Sequence, residues 1–229
     1  GRGTAFSVGF KDILDGRASV RWRQLGLRAG LAGGQLGIEF EQRHVSAGFF
    51  RALDLAESDR EQLDRERGLS RQRLALNWVG GRNTFNAGEL RLTDDASGAE
   101  VVRRQLGLQA RGLGLSYSFQ KIGTGFSRFA DLAEADHAEM EQQRGLEKEL
   151  FSLGKLALGK TLGLAGSRFS LGEAGKGGLA TQSLELQGRG FAARYNDRRV
   201  DGSFDRSRDL TATEKAAIAL RERRFFDAT

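Results

Sequence analysis

The feature that most constrains the fold of this chain is an internal repeat. The segment GFSRFADLAEADHAEMEQQRG at 125–145 matches GFFRALDLAESDREQLDRERG at 48–68, an offset of 77 residues. A more divergent third copy, SFDRSRDLTATEKAAIALRER, begins at Ser203, a further 78 residues along the chain. Self-similarity at so long a period is typical of architectures in which one structural unit lies beside the next. The repeat therefore predicts one continuous structure over residues 1–229 rather than separate domains.

Each copy of this segment predicts one short, charged helix. Asp131 and Glu134 have the spacing of a capping box, and Gly145 and Gly68 stand where a left-handed glycine ends a helix. The apolar positions form one narrow stripe, which in the three copies consists of Leu55 and Leu63, Leu132 and Met140, and Leu210 and Ile218. Such a stripe predicts a helix that lies on another element and does not form a core with its sister helices.

A phenylalanine opens each copy of the repeated segment. An aromatic ring at a repeated position predicts a packing role, in which it holds the helix against the end of a sheet. Binding of a partner by these rings is the alternative interpretation. The predicted structural anchors are Phe49, Phe126 and Phe204, together with the helical leucines Leu55, Leu132 and Leu210.

Between the copies, the apolar pattern changes from a helical period to the alternation that is typical of strands. Four strands are predicted between the first two helices, at Arg71–Val79, Thr84–Leu92, Val101–Ala110 and Leu113–Ile122. An even number of antiparallel strands returns the chain to the same end of a sheet, so we expect all the helices at one end. The alternation changes phase near Gly88–Leu92 and near Gly166–Phe169, which predicts a bulge or bend at both places.

The strand at 113–122 shows two different faces. Leu113, Leu115, Tyr117 and Phe119 point to one face, and small or polar residues point to the other. The same frame recurs in the matching strands of the other units, so a continuous sheet would keep one apolar face throughout.

These patterns predict a mainly β protein, an antiparallel meander of about 11–12 strands that is curved or closed as a barrel. Each repeat comprises four strands and one short charged helix. The expected units are a partial repeat at 1–47, repeats at 48–124 and 125–202, and a partial repeat at 203–229. Because the chain opens and stops inside repeats, we expect it to be a segment of a longer protein.

The charge of the chain is basic but dispersed. Lys and Arg number 36 against 30 Asp and Glu, and no helix or patch of the sequence collects the arginines, so no nucleic-acid partner is expected. No run of about 18 apolar residues occurs, which argues against a transmembrane helix and leaves transmembrane strands open.

One catalytic motif matches this sequence. Residues 154–161, GKLALGKT, fit the P-loop expression G-x-x-x-x-G-K-[ST], which needs a helix that opens at Lys160. The following run, TLGLAGSRFSLG, has the pattern of a strand, so a nucleotide-binding enzyme is only a distant third interpretation. His44 and His137 have no visible partners for metal binding or catalysis. The sequence therefore predicts no catalytic residue, cofactor or metal.

Strands of about ten residues, with short turns at one end and longer charged segments at the other, resemble those of bacterial outer-membrane β-barrel proteins. The resemblance covers nearly the whole chain and rests on pattern, without a family signature. It implies a structural, non-enzymatic protein at the outer membrane or cell surface of a diderm bacterium. It also implies that lipid meets the face carrying Leu113, Leu115, Tyr117 and Phe119, and that the other face lines a polar lumen.

The alternative is a secreted, soluble β-repeat protein of a surface layer or filament. Its apolar face would pack against a second sheet or a neighbouring subunit. The expected partners are therefore membrane lipid or neighbouring protein subunits, with further repeats of the same chain as another possibility.

Overall fold

A computed structural model describes residues 3–31, 33–49, 57–110, 112–128, 140–158, 162–173, 176–201 and 225–228. The strands are β1 (Ala5–Asp15), β2 (Ala18–Leu31), β3 (Gly34–Val45), β4 (Leu69–Gly80), β5 (Asn83–Asp94), β6 (Glu100–Ala110), β7 (Leu113–Ile122), β8 (Leu146–Leu158), β9 (Leu162–Glu173), β10 (Lys176–Gly188), β11 (Phe191–Val200) and β12 (Phe225–Ala228). Helix α1 (Glu57–Glu66) lies between β3 and β4, and residues 140–142 are also helical.

Every strand pairs antiparallel with the next strand of the chain, so that β1 to β12 form one sheet in sequence order. The mainly β antiparallel meander predicted from the sequence is therefore confirmed. Within the described residues, no pairing joins β1 to β12, and the sheet is open. Closure into a barrel stays a prediction.

Two long connections leave the sheet at the same end. These connectors, residues 46–68 and 123–145, are separated by the four strands β4 to β7. Because that number is even, both connectors lie at one end of the sheet, here called the connector end, and the turn at 81–82 lies at the other, the hairpin end. The observed β4 extends the predicted strand Arg71–Val79 by two residues at its start and one at its end.

Each connector ends at a glycine that hydrogen-bonds back to the sheet. Gly68 and Gly145 have φ angles of 73° and 80°, the left-handed conformation predicted for them. The amide of Gly68 donates to the carbonyl of Val45 at 2.7 Å, and that of Gly145 donates to the carbonyl of Ile122 at 2.9 Å. Most of the second predicted helix and the whole of the third lie outside the described residues.

The buried core lies at the connector end, in three clusters. The first contains Ala18, Val20, Val45, Phe49 and Leu63, the second Leu69, Leu92, Val101, Ile122, Phe126 and Met140, and the third Leu146, Leu171 and Leu179. Their strand residues point to the face opposite Leu113 and Phe119, as the position of Ile122 shows by alternation along β7. The first two clusters also contain Phe49, Leu63, Phe126 and Met140 of the connectors, and these described residues cover one face of the sheet near its end.

The sequence predicted a bulge or bend at Gly88–Leu92, and no bulge occurs there. The β4–β5 and β5–β6 registers run through these residues without a shift. The apolar pattern changes phase because Leu92 is 3% exposed in the second cluster, and Leu90 packs against that cluster. The buried face therefore changes along the strand while the backbone alternation continues.

The irregularity predicted at Gly166–Phe169 lies on the neighbouring strand instead. These residues of β9 keep a regular register, and the shift falls between Leu153 and Leu156 of β8. One extra residue on β8 at this point is the arrangement of a β-bulge.

Candidate functional site

The face that carries Leu113 and Phe119 is apolar across the sheet. Directly paired residues of antiparallel strands share a face, so the register identifies its members. This apolar face comprises Phe6, Val8 and Phe10 of β1, Leu25 and Leu27 of β2, Leu36, Ile38 and Phe40 of β3, Leu74, Leu76 and Trp78 of β4, Phe85 of β5, Leu106 and Leu108 of β6, Leu113, Leu115, Tyr117 and Phe119 of β7, Phe151 and Leu153 of β8, Leu164 of β9, Leu184 and Leu186 of β10, and Phe191 and Tyr195 of β11.

Much of the apolar face is open. Phe10 is 74% exposed, and Leu74 and Leu184, on strands farther along the sheet, are each 47% exposed. The strands pack edge to edge with their sequence neighbours, as a single layer. Contiguous exposed apolar surface on this scale marks a site of interaction with protein or membrane.

The opposite, polar face carries small and hydrogen-bonding side chains over the middle of the sheet. One cross-strand row consists of Asn77, Asn86, Gly107, Ser116, Ser152, Ser167, Ser183 and Asn196. The hydroxyl oxygens of Ser167 and Ser183 lie 2.8 Å apart. A Cβ at Gly107 would collide with the Asn86 amide, so this glycine lets the Asn86 side chain lie across the neighbouring strand.

Charged side chains border the apolar face on its connector side. Arg104 Nε donates to Glu89 Oε2 at 2.9 Å, and the Arg104 guanidinium lies 5.6 Å from the centre of the Phe119 ring. Farther along, Lys121 Nζ lies 3.4 Å from Glu147 Oε2. On these strands, the apolar surface therefore extends from the hairpin end to the middle of the sheet. Charged side chains occupy the same face between the middle and the connector end.

The two predicted anchors that the structure describes are both buried. Phe49 is 2% exposed and packs in the cluster that includes Leu63, and Phe126 is 0% exposed in the cluster that includes Met140. The other four predicted anchors, Phe204, Leu55, Leu132 and Leu210, lie outside the described residues. The predicted apolar residues of β7 all lie on the apolar face and are half-buried.

His44 has polar partners that the sequence did not reveal. Its Nδ1 lies 2.7 Å from Ser70 Oγ and 3.7 Å from Asp95 Oδ2, and its Nε2 lies 3.5 Å from Ser46 Oγ. A nucleophile activated by histidine needs a hydrogen bond of about 2.6–3.2 Å, with an acid that orients the ring from its other nitrogen. Ser70 has the required distance, but Asp95 approaches the same nitrogen as Ser70. Ser46, at the other nitrogen, is too far away. The Ser46 hydroxyl instead accepts from the Ser19 amide at 3.1 Å. This cluster ties β2, β3 and β4 together at the connector end.

The first five residues of the P-loop match lie in a strand. Residues 154–158 belong to β8, and Leu158 pairs with Leu162, the first residue of β9. A P-loop requires a helix at that point, with its N-terminus facing the phosphates, and here a strand follows. Lys160 and His137 lie outside the described residues. Among the residues that are described, no group of three or more His, Asp or Glu side chains could hold a metal ion.

Within the described part of the chain, no helix is long and apolar enough to cross a membrane. No protein-family model, curated protein or solved structure matches this chain.

Proposed function

We propose that this chain is a structural cell-surface protein whose sheet forms part of the wall of an outer-membrane β-barrel. The observation that carries the proposal is the contrast between the two faces of one layer. An apolar face runs through eleven strands with much of it open, and a face of serine, asparagine and glycine lies behind it.

A bilayer accepts strands only when their backbone groups are paired, because unpaired N–H and C=O groups in hydrocarbon each cost several kcal/mol. In the described meander, every strand from β2 to β11 pairs with a neighbour on both sides, so the backbone groups of these strands are paired. Lipid would contact the apolar face, and the polar face would line the lumen. The connectors, which cover the polar face at one end, would then lie inside the lumen at one mouth. In this arrangement the repeating unit is four strands and one connector.

A second candidate is a soluble assembly in which two apolar faces pack together. The height of the apolar surface favours it. From Leu113 to Phe119 the apolar run of β7 measures about 20 Å at 3.3 Å per residue. A strand tilt of about 40° shortens its height to about 15 Å, against the roughly 25 Å apolar band of outer-membrane barrels. Such a face could be covered completely by a second sheet.

The two tryptophans of the chain distinguish the candidates. Trp78 lies on the apolar face over Gly80, and Trp22 lies on the polar face beside Gly9, at 3.8 Å from a Cβ built there. The chain is refolded with vesicles of brominated phosphatidylcholine, as the single-tryptophan variants Trp22→Phe and Trp78→Phe. In a barrel, bromine quenches the fluorescence of Trp78, and Trp22 keeps its emission and responds to iodide in the water.

Equal quenching of both tryptophans, or of neither, would overturn the barrel. A chain that is folded in buffer without amphiphile, with Trp78 shielded from iodide and an oligomeric mass in light scattering, would establish the soluble assembly.

A further inference from the structure

A group of cationic side chains lies on the polar face between β4 and β8. The register places Arg73 opposite Leu90, Leu90 opposite Arg103, Arg103 opposite Gln120, and Gln120 opposite Lys148. Arg71 is the next residue of β4 on the same face. We call Arg71, Arg73, Arg103 and Lys148 the basic group.

The basic group surrounds a depression of about 670 Å³, whose wall also contains Gln105 and Gln120. Paired strands lie about 4.8 Å apart, so Arg73 is about 10 Å from Arg103, and Arg103 is about 10 Å from Lys148. Arginine and lysine side chains are long enough to converge over such distances. Their charges can therefore reach one extended ligand, with the Gln105 amide as a further hydrogen-bond donor. The Gln120 amide nitrogen already donates to Gln143 Oε1 at 2.7 Å.

Among the residues that line the depression there is one acid, Glu89, whose strand position lies on the apolar face. In the described parts of β4 to β8, the polar face has one carboxylate, Asp94, which accepts from the Ala96 amide at 3.1 Å and from the Ser97 hydroxyl at 2.7 Å. The acids of the opposite face, such as Glu89, pair with cations of that face. Glu41 of β3 lies opposite Arg73 and can offset one positive charge.

Arg71 carries an unused donor. Its Nε is buried and has no hydrogen-bond acceptor among the described residues. Because this Nε is closed to solvent, an oxyanion in the depression would bind the outer guanidinium nitrogens of Arg71, which can donate to phosphate oxygens in pairs. Lys148 is a lining residue at the β8 side of the depression, and its Nζ lies 5.9 Å from the centre of the Phe169 ring of β9.

We propose that the basic group binds an oligoanion that carries several phosphate groups. Two features favour phosphate. Guanidinium groups bind phosphate oxygens through paired hydrogen bonds, and the spacing of the cations suits a ligand with charges along its length rather than one small ion. The site does not depend on whether lipid or protein meets the apolar face.

Sodium tripolyphosphate serves as the probe, titrated into the refolded chain in an isothermal calorimeter at low and at moderate salt. Saturable binding is expected at low salt and weakens as salt rises, because the charges lie at an accessible surface. Inorganic phosphate, which reaches fewer of the cations, binds more weakly. Arg103→Gln and Lys148→Gln each lower the affinity for tripolyphosphate by about tenfold, as expected for the loss of one charge-assisted contact.

The matched control is Arg91→Gln. Arg91 follows Leu90 on β5, points to the apolar face and pairs there with Glu89, so its removal changes the net charge equally at a residue outside the lining of the depression. Its affinity for tripolyphosphate stays within about twofold of the parent chain, the change expected from general charge alone. Equal losses in Arg103→Gln and Arg91→Gln, or no saturable binding to the parent chain, would reject the site. Circular dichroism confirms that the variants retain the sheet.

Discussion

The guanidinium of Arg128 donates a hydrogen bond to the main-chain carbonyl of Arg65 at 3.1 Å. Arg65 lies in the last turn of α1, and the same guanidinium also donates to the carbonyl of Arg67 just beyond it. The last carbonyls of a helix have no partner within the helix, and a cation there also opposes the negative end of the helix dipole. A side chain of the second connector thus completes the helix of the first.

Arg128→Ala should loosen the C-terminal turn of α1. Two charge-assisted hydrogen bonds are lost, with an expected cost of about 1–2 kcal/mol in local stability. Hydrogen exchange of residues 57–68 measures it, with faster exchange expected in the variant. Lys121→Ala, which removes an exposed ion pair with Glu147 elsewhere at the connector end, is the control and should leave this exchange unchanged. Unchanged protection in Arg128→Ala would show that the contact does not hold the helix.

Phe126→Ala should destabilise the connector end by about 3 kcal/mol, because the ring is completely buried and its removal leaves a cavity. Denaturant titration measures the global loss, and hydrogen exchange over 125–145 measures the local one. Phe151→Ala is the matched control, since Phe151 is 37% exposed on the apolar face. Both variants are titrated in the same detergent. A similar cost for both substitutions, or unaltered exchange over 125–145, would contradict the anchor role.

Gly68→Ala should also destabilise the fold, through the backbone and through a close contact, since a Cβ there would lie 3.3 Å from Arg128 Nη1. Gly68 has a φ of 73°, and a non-glycine residue in that region costs about 1–2 kcal/mol. Gly37→Ala is the control, because a Cβ at Gly37 meets nothing closer than 3.9 Å in a strand of ordinary φ. The free energies of unfolding of the two variants are compared in denaturant. If the left-handed conformation at the end of the connector is required, Gly68→Ala loses more free energy of unfolding than Gly37→Ala.

The local elements of this fold could be predicted because their signals are local. The strand Leu113–Ile122 has the predicted bounds, and the glycines Gly68 and Gly145 end the connectors as expected. Alternation along one strand, and a glycine after a charged helix, need only neighbouring residues for their interpretation. The order of the strands follows as well, because short turns force consecutive strands to pair.

The long-range features were not predictable in this way. Leu90 and Leu92 suggested a bulge because they break the alternation, whereas they stay in register and pack under Phe126. Their burial is explained by Phe126 of the second connector, which packs on the polar face and lies more than thirty positions away in the sequence. The partners Ser70 and Asp95 of His44 likewise come from β4 and from the turn after β5, which no spacing in the sequence brings together.

The last prediction concerns the two faces directly, through a pair of adjacent residues. Leu115 lies on the apolar face of β7 and Ser116 on the polar face, so an arginine at either position adds the same charge to the same strand. In a membrane barrel, an arginine on the lipid face costs about 2–4 kcal/mol near the bilayer midplane, whereas one that faces the lumen stays hydrated.

Leu115→Arg should therefore make folding into phosphatidylcholine vesicles less favourable by about 2–4 kcal/mol, with Ser116→Arg close to the parent chain. Denaturant titration in the presence of vesicles measures both variants. In the soluble assembly, Leu115→Arg would instead dissociate the oligomer in buffer, because the charge would be buried against a second apolar face. If the Leu115→Arg chain folds into vesicles as well as the parent chain, lipid does not contact the apolar face. An apolar surface in contact with hydrocarbon cannot accept that charge without cost.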